Sequence, residues 1–256
     1  MIKYFLSGFL RIHLCYALAI ADLKQFFHRA FLGLLWVTIS FFIFIIVKNF
    51  IFSSFTTVSE SEFIMWVALG YAVWVFISTS IMEGTLIFIK ARPWILSLKT
   101  PPSVFIMQSL IKLSIFLFLN LSACVVIGLI YKLPLKIQAF YALIGLVLLF
   151  LNHIIWQVIL GFLATKFRDI IHFAQALMRV MFFLTPILYM PAQIGDKAKL
   201  LLYNPFTHFL ALVREPIIYG VIPIQSSIIV GAFTLISLII ATVIVKFQFK
   251  NLSLWV

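Results

Sequence analysis

Residues 63–89, FIMWVALGYAVWVFISTSIMEGTLIFI, form an apolar run that carries one charged residue, Glu83. As a helix rising about 1.5 Å per residue, this run outreaches the roughly 30 Å hydrocarbon core of a bilayer. Similar runs fall at 30–47, 103–131, 137–165, 170–190 and 226–245, with short basic knots between them. The chain has 256 residues, of which 10% are charged and 64% hydrophobic, and its mean hydropathy is +1.20. A water-soluble domain of this size needs far more polar surface, so the solvent is lipid. Helices are expected for all six runs, because a helix satisfies its own backbone in lipid, whereas a barrel needs alternating strands of about ten residues that this sequence lacks. The expected fold is an all-α integral membrane protein with six transmembrane helices, and an even number of spans puts both termini on one side.

The basic residues choose that side. Lys3, Arg11, Lys24 and Arg29 precede the first run; Lys90, Arg92 and Lys99 follow the second; Lys166 and Arg168 follow the fourth; Lys246 and Lys250 follow the sixth. The opposite side holds Lys48, Lys132, Lys136, Lys197, Lys199 and Arg214, diluted by Glu60, Glu62, Asp196 and Glu215. The positive-inside bias therefore puts both termini in the cytoplasm. The net charge of +12 follows from this orientation and from anionic headgroups, and no nucleic-acid partner is expected.

Two segments depart from the spanning pattern. Within residues 1–29, Phe5, Phe9, Ile12, Tyr16, Ile20, Leu23 and Phe27 recur at helical spacing, while Lys3, Ser7, Arg11, Asp22, Gln25 and Arg29 mark another face. An amphipathic helix in the cytoplasmic interface is expected, as a membrane anchor or as a docking element for a partner protein. Ala19-Ile20-Ala21 imitates a cleavage site, but Arg11 and His13 interrupt the apolar region of a signal peptide, so the N-terminus is expected to be retained. The second departure, 200–213, is too short to cross and contains Pro205. Two short helices dipping into the outer leaflet fit it, and an external gate is the functional reading.

Chemistry of its own is not expected. There is no phosphate-binding Gly-rich loop, no His-Glu-x-x-His and no nucleophile elbow, and only seven acids occur in the chain. Cys15 and Cys124 match no disulfide or metal pattern. No cofactor or metal is expected on this chain, and uphill transport needs energy from elsewhere. Among polar groups within spans, Glu83 and Lys112 lie at similar depth on neighbouring helices, which favours a structural ion pair over a proton relay. Arg179, Asn152, His153 and Gln157 fit two roles equally well, hydrogen-bonded glue or the wall of a wet pathway. Aromatic residues make up 17% of the chain; most belong to core or lipid faces, yet a lumen of aromatic rings also suits the apolar faces of sugars.

Asp22-Leu23-Lys24, then 32–40 (LGLLWVTIS), Gly70-Tyr71-Ala72-Val73-Trp74, Lys166-Phe167-Arg168-Asp169-Ile170, 183–189 (FLTPILY), 203–208 (YNPFTH) and Arg214-Glu215 follow one another in an order and spacing that resembles the membrane subunits of ABC-2 type polysaccharide exporters. The similarity spans most of the chain and is nearest to the O-antigen and capsule exporter permeases, with teichoic acid exporters further off. Relatives often carry Arg-Tyr where Phe26-Phe27 stand, so no phosphate contact is carried over to that pair. Many also have a proline where Phe41 stands.

The resemblance implies one transmembrane domain over 1–256, divided into an interface helix (1–29), five spans (30–190), a gate hairpin (191–225), a sixth span (226–245) and a cytoplasmic tail (246–256). It implies a homodimer with two cytoplasmic ABC ATPase subunits that hold ATP and Mg. Its cargo would be a polyprenyl-diphosphate-linked glycan, moved outward across a bacterial inner membrane. Lys24, His28, Arg29, Lys90, Arg92 and Lys99 are then the candidate entrance for the lipid diphosphate, with plain positive-inside anchoring as the competing role of each. Asp22, Arg168 and Asp169 are candidates for ATPase coupling. Trp36, Trp66, Trp74, Arg179 and Tyr189 are lumen candidates, and Pro186, Tyr203, Asn204, Pro205, Arg214 and Glu215 are gate candidates, with Arg214 expected to pair with Glu215. Alternatives are export of a small amphiphile, and a scaffold or membrane enzyme of glycan assembly.

Overall fold

The computed structural model describes residues 6–52, 58–134, 136–249 and 252–255. Lys3, Phe5 and Lys250 of the patterns above lie outside these residues, and Lys197 is described by its backbone alone. In chain order the elements are α1 (Ile12–Phe26), α2 (Leu35–Phe52), α3 (Glu60–Lys90), α4 (Arg92–Ser97), α5 (Ser103–Ile130), a 3₁₀ turn (Ile137–Tyr141) that runs into α6 (Ala142–Lys166), α7 (Asp169–Leu184), a 3₁₀ stretch (Pro191–Tyr203), α8 (Pro205–Ile218), α9 (Ile224–Gln248) and α10 (Leu252–Trp255). No strand occurs among the described residues.

The opening run becomes the axis of the molecule. α3 starts at Ser59, whose extended backbone lets its hydroxyl accept from the Glu62 amide at 3.3 Å. Glu60 and Glu62 sit in its first turn and Lys90 in its last, signs that complement the helix dipole. It packs against α2, α5, α6, α7 and α8 and buries most of its residues from Phe63 to Phe88. Small residues allow this closeness: Gly161 of α6 lies against Phe88, and Gly145 lies against the backbone of Leu212 in α8. α9, by contrast, keeps Leu235, Ile236 and Ile239 on an exposed apolar face.

Among the described residues, four helices are long and apolar enough to cross a membrane: α3, α5, α6 with its leading turn, and α9; residues Leu35–Ile51 make a shorter apolar helix. The fifth expected span, 170–190, is realised as only sixteen helical residues. Thr185 turns extended at ψ 133°, because the ring of Pro186 disfavours a helical residue before it. The interface helix also faces differently from its most apolar stripe. Cys15, Ala19 and Leu23 pack against α5, while Ile12 and Tyr16 stay exposed. An elbow with left-handed residues at Arg29 (φ 70°) and Gly33 (φ 50°) then joins α1 to α2. Only the glycine adopts that conformation without cost.

Candidate functional site

One end of the bundle is built around the break after α7. Asn204 caps α8, its side-chain oxygen accepting from the Phe206 amide at 3.0 Å, and Pro205 occupies the first helical position. The same side chain donates to Thr185 Oγ1 at 2.9 Å and to the Leu184 carbonyl at 3.3 Å, tying the start of α8 to the frayed end of α7. One helical face further on, Arg214 is 1% exposed. Its Nη1 donates to the Pro186 carbonyl at 2.6 Å, and its guanidinium lies 4.1 Å from the centre of the Trp66 ring. Nε and Nη2 have no hydrogen-bond acceptor among the described residues, and the Trp66 ring faces the remaining charge. Gly70 makes the room, since a Cβ there would collide with Nη2. Trp66 in turn donates from Nε1 to the Tyr189 carbonyl at 3.1 Å. At the far end of α8, Lys136 donates to the Tyr219 carbonyl at 2.8 Å. Burial pushes the Glu215 carboxyl above the ordinary carboxylate range, opposed by the nearby charges of His208 and Arg214.

At the opposite end of the bundle the polar groups form a chain instead of a clamp. Lys112 on α5 pairs with Glu83 on α3 at 2.7 Å and lies 4.0 Å from Asp22 on α1, which also accepts from Gln108 at 2.7 Å. Ser109 donates to Glu83 at 2.7 Å and is itself 3.5 Å from Gln157 Nε2. Gln157 donates to the Ser80 carbonyl at 2.9 Å, and the Ser80 hydroxyl meets His153 Nδ1 at 2.6 Å. Polar contacts thus run from the interface helix to the middle of the bundle. A cavity of about 240 Å³ opens onto the chain, lined by Asp22, Glu83, Lys90, Trp94, Gln108 and Lys112 among others.

Between these ends lies a groove of about 630 Å³ between α3 and α7, lined by Trp74, Ser78, Met82, Gln175, Met178, Arg179, Phe182 and Phe183. Trp74 itself is 4% exposed and meets Phe206 of α8 edge to face, with ring centres 5.8 Å apart.

Residues 13–218 match the family described as ABC-2 type transporter. The chain belongs to that family. No curated protein matches it in sequence. As an ABC-2 permease it is the membrane component of a transporter, and the family implies an ABC ATPase as partner.

In this permease the expected site residues separate into groups. Lys24 and His28 line one shallow cavity with Phe27 and Ile115, while Lys90 lines the cavity of the ion chain. Arg29, Arg92 and Lys99 are exposed on the flanking elbow and on or beside α4. The six cations therefore do not close into one collar. Asp22 joins Lys112 and Gln108, whereas Arg168 and Asp169 are exposed where α7 begins. Among the lumen candidates, Trp36 and Arg179 are exposed, Trp74 edges the groove, and Trp66 with Tyr189 belongs to the Arg214 clamp. Tyr203 is 85% exposed. No ion pair joins Arg214 and Glu215 among the described residues, correcting the expected pairing: successive helical residues point about 100° apart, and the guanidinium is turned to Pro186. Glu83 and Lys112 do pair as expected, and Asn152, His153 and Gln157 are fully buried bonding groups. Gly70, Gln108 and Ser109 were not singled out as functional from sequence. Gly70 lay inside a quoted motif, but nothing local marks the other two.

Proposed function

We propose that this permease moves a polyprenyl-diphosphate-linked polysaccharide, an O-antigen foremost, from the cytoplasmic to the outer face of a bacterial inner membrane. Two copies of the chain, each with six spans and cytoplasmic termini, work with two ATPase subunits that supply ATP and Mg. The observation that supports this most is the groove of Trp74, Phe182 and Phe183 beneath the clamped helix α8. Aromatic faces give sugar rings stacking surfaces without deep traps, and a short buried helix above them fits a gate. Lipid diphosphate is recruited by the basic residues at the cytoplasmic mouth, Lys24, His28, Arg29, Lys90, Arg92 and Lys99. ATPase movement enters through α1 and the short α6–α7 turn at Arg168 and Asp169. It spreads along the Asp22–Lys112–Glu83 chain into α3 and α5, and the Arg214 clamp yields at the outer end.

The test is purification of the permease from its own membrane after mild crosslinking, with co-purifying proteins and lipids identified by mass spectrometry. Recovery of an ABC ATPase in roughly equal amount with a polyprenyl-linked polysaccharide is expected. Glycosyltransferases without an ATPase would turn the reading to a scaffold of glycan assembly, and an ATPase with only small amphiphiles would turn it to a different cargo.

A further inference from the structure

Arg168, His172, Gln175 and Arg179 recur at four-, three- and four-residue steps and so share one face of α7, flanking the buried Ala174 and Met178. Arg168, His172 and Arg179 are exposed and Gln175 is half-buried. Arg179 stands ten residues beyond Asp169, about 15 Å along the helix; in the six-span arrangement proposed above, that is near mid-depth of the hydrocarbon. Among the described residues its Nε donates only to the Gln175 carbonyl one turn back, at 3.3 Å, and none of those lining the groove is a carboxylate. A guanidinium held at that depth against lipid is costly. The cost is offset where anionic oxygens pass in front of it, because guanidinium binds carboxylate and phosphate through paired, charge-assisted hydrogen bonds.

We propose that the α7 stripe reads negative charge on the cargo, and that Arg179 selects a polysaccharide whose repeat carries an anionic group, a sugar carboxylate or a phosphate ester. The inference rests on the glycan-export reading above and adds a substrate class to it. Phe182 and Phe183, backed by the buried Trp74, stack the sugar faces while Gln175, Ser78 and Arg179 bind the polar edge of the same segment. Arg168 continues the positive line toward the cytoplasmic mouth, with His172 on the same face as a further hydrogen-bonding group.

The lipid-linked glycan that cells accumulate when this chain is deleted gives the first readout, its repeat composition by mass spectrometry. An anionic repeat is expected, and a neutral repeat overturns the proposal. In complemented cells, at equal permease level, Arg179→Gln should lower surface glycan about tenfold or more and Arg179→Lys by less than about threefold. Equal export by wild type and Arg179→Gln overturns it. The diphosphate of the carrier offers the same chemistry, so purified transporter is also given undecaprenyl diphosphate without glycan. Unchanged stimulation of ATP hydrolysis in Arg179→Gln supports glycan reading, and its loss assigns Arg179 to the carrier head group instead. An Arg179→Cys variant that forms a disulfide between two copies would show that a second copy covers the stripe, against the proposal. If deletion accumulates no glycan at all, the export reading itself has failed, a result distinct from export of a neutral glycan.

Discussion

The two ends of this permease hold their charges in opposite ways. At the α8 end one guanidinium is sealed among Trp66, Gly70 and the Pro186 carbonyl, with no carboxylate partner among the described residues; at the α1 end Lys112 balances Glu83 and Asp22 in a partly exposed chain open to a cavity. A sealed cation bound to a carbonyl and a ring has essentially one arrangement. An open chain of charged and hydrogen-bonding groups has several close in energy and exchanges partners with water. The α8 end is thus suited to being locked or released as a unit, and the α1 end to passing on small displacements of α1.

The largest effect should come from emptying the clamp. Arg214→Ala leaves a cavity and an orphaned Pro186 carbonyl, and should lower stability by about 4 kcal/mol, read as thermal unfolding of the detergent-purified transporter. Arg214→Met, which keeps the volume, should stay within about 1 kcal/mol of wild type yet let small solutes leak without ATP, separating the gate from the fold. Lys112→Met strips two carboxylates of their cation and should cost about 3 kcal/mol. Adding Glu83→Gln should recover most of that loss, as thermal melts of the four proteins in a double-mutant cycle would register. Strict additivity would mean that the charges at the α1 end are not coupled. Asn204→Ala removes a helix cap and the tie to Thr185, and should cost about 1 kcal/mol and raise hydrogen exchange in the first turn of α8. Asp22→Asn should be the mildest for stability, about 0.5 kcal/mol or less, because the Lys112 contact is 4.0 Å long and partly exposed. It should nonetheless reduce cargo-stimulated ATP hydrolysis, whereas an equal reduction from Asn204→Ala would erase the contrast between the two ends.

What the sequence disclosed follows the same contrast. Glu83 and Lys112 could be matched because each is a solitary charge in an apolar run, and depth alone brings them level. The bend at Pro205 was visible because proline acts through its own ring. The clamp was not visible: Arg214 meets Pro186 twenty-eight positions away, and its other neighbours, Trp66 and Gly70, come from α3. The expected pair with Glu215 came from adjacency in sequence, which a helix separates. The length of α7 was overestimated because Ile187, Leu188 and Met190 add hydropathy to a stretch that Pro186 has already removed from the helix. Arg179 alone fits buried glue or a pathway wall equally well, because the groove it lines depends on the packing of α3 against α7, which are far apart in sequence.

The most direct measurement follows a radiolabelled polyprenyl-diphosphate-linked glycan in everted membrane vesicles that contain this permease and its ATPase. If the chain is an export permease, the glycan becomes protected from added glycosidase only when ATP is supplied, and protection disappears when the ATPase is inactivated. Glycan that stays digestible with ATP present, while the ATPase remains active, would contradict the assignment.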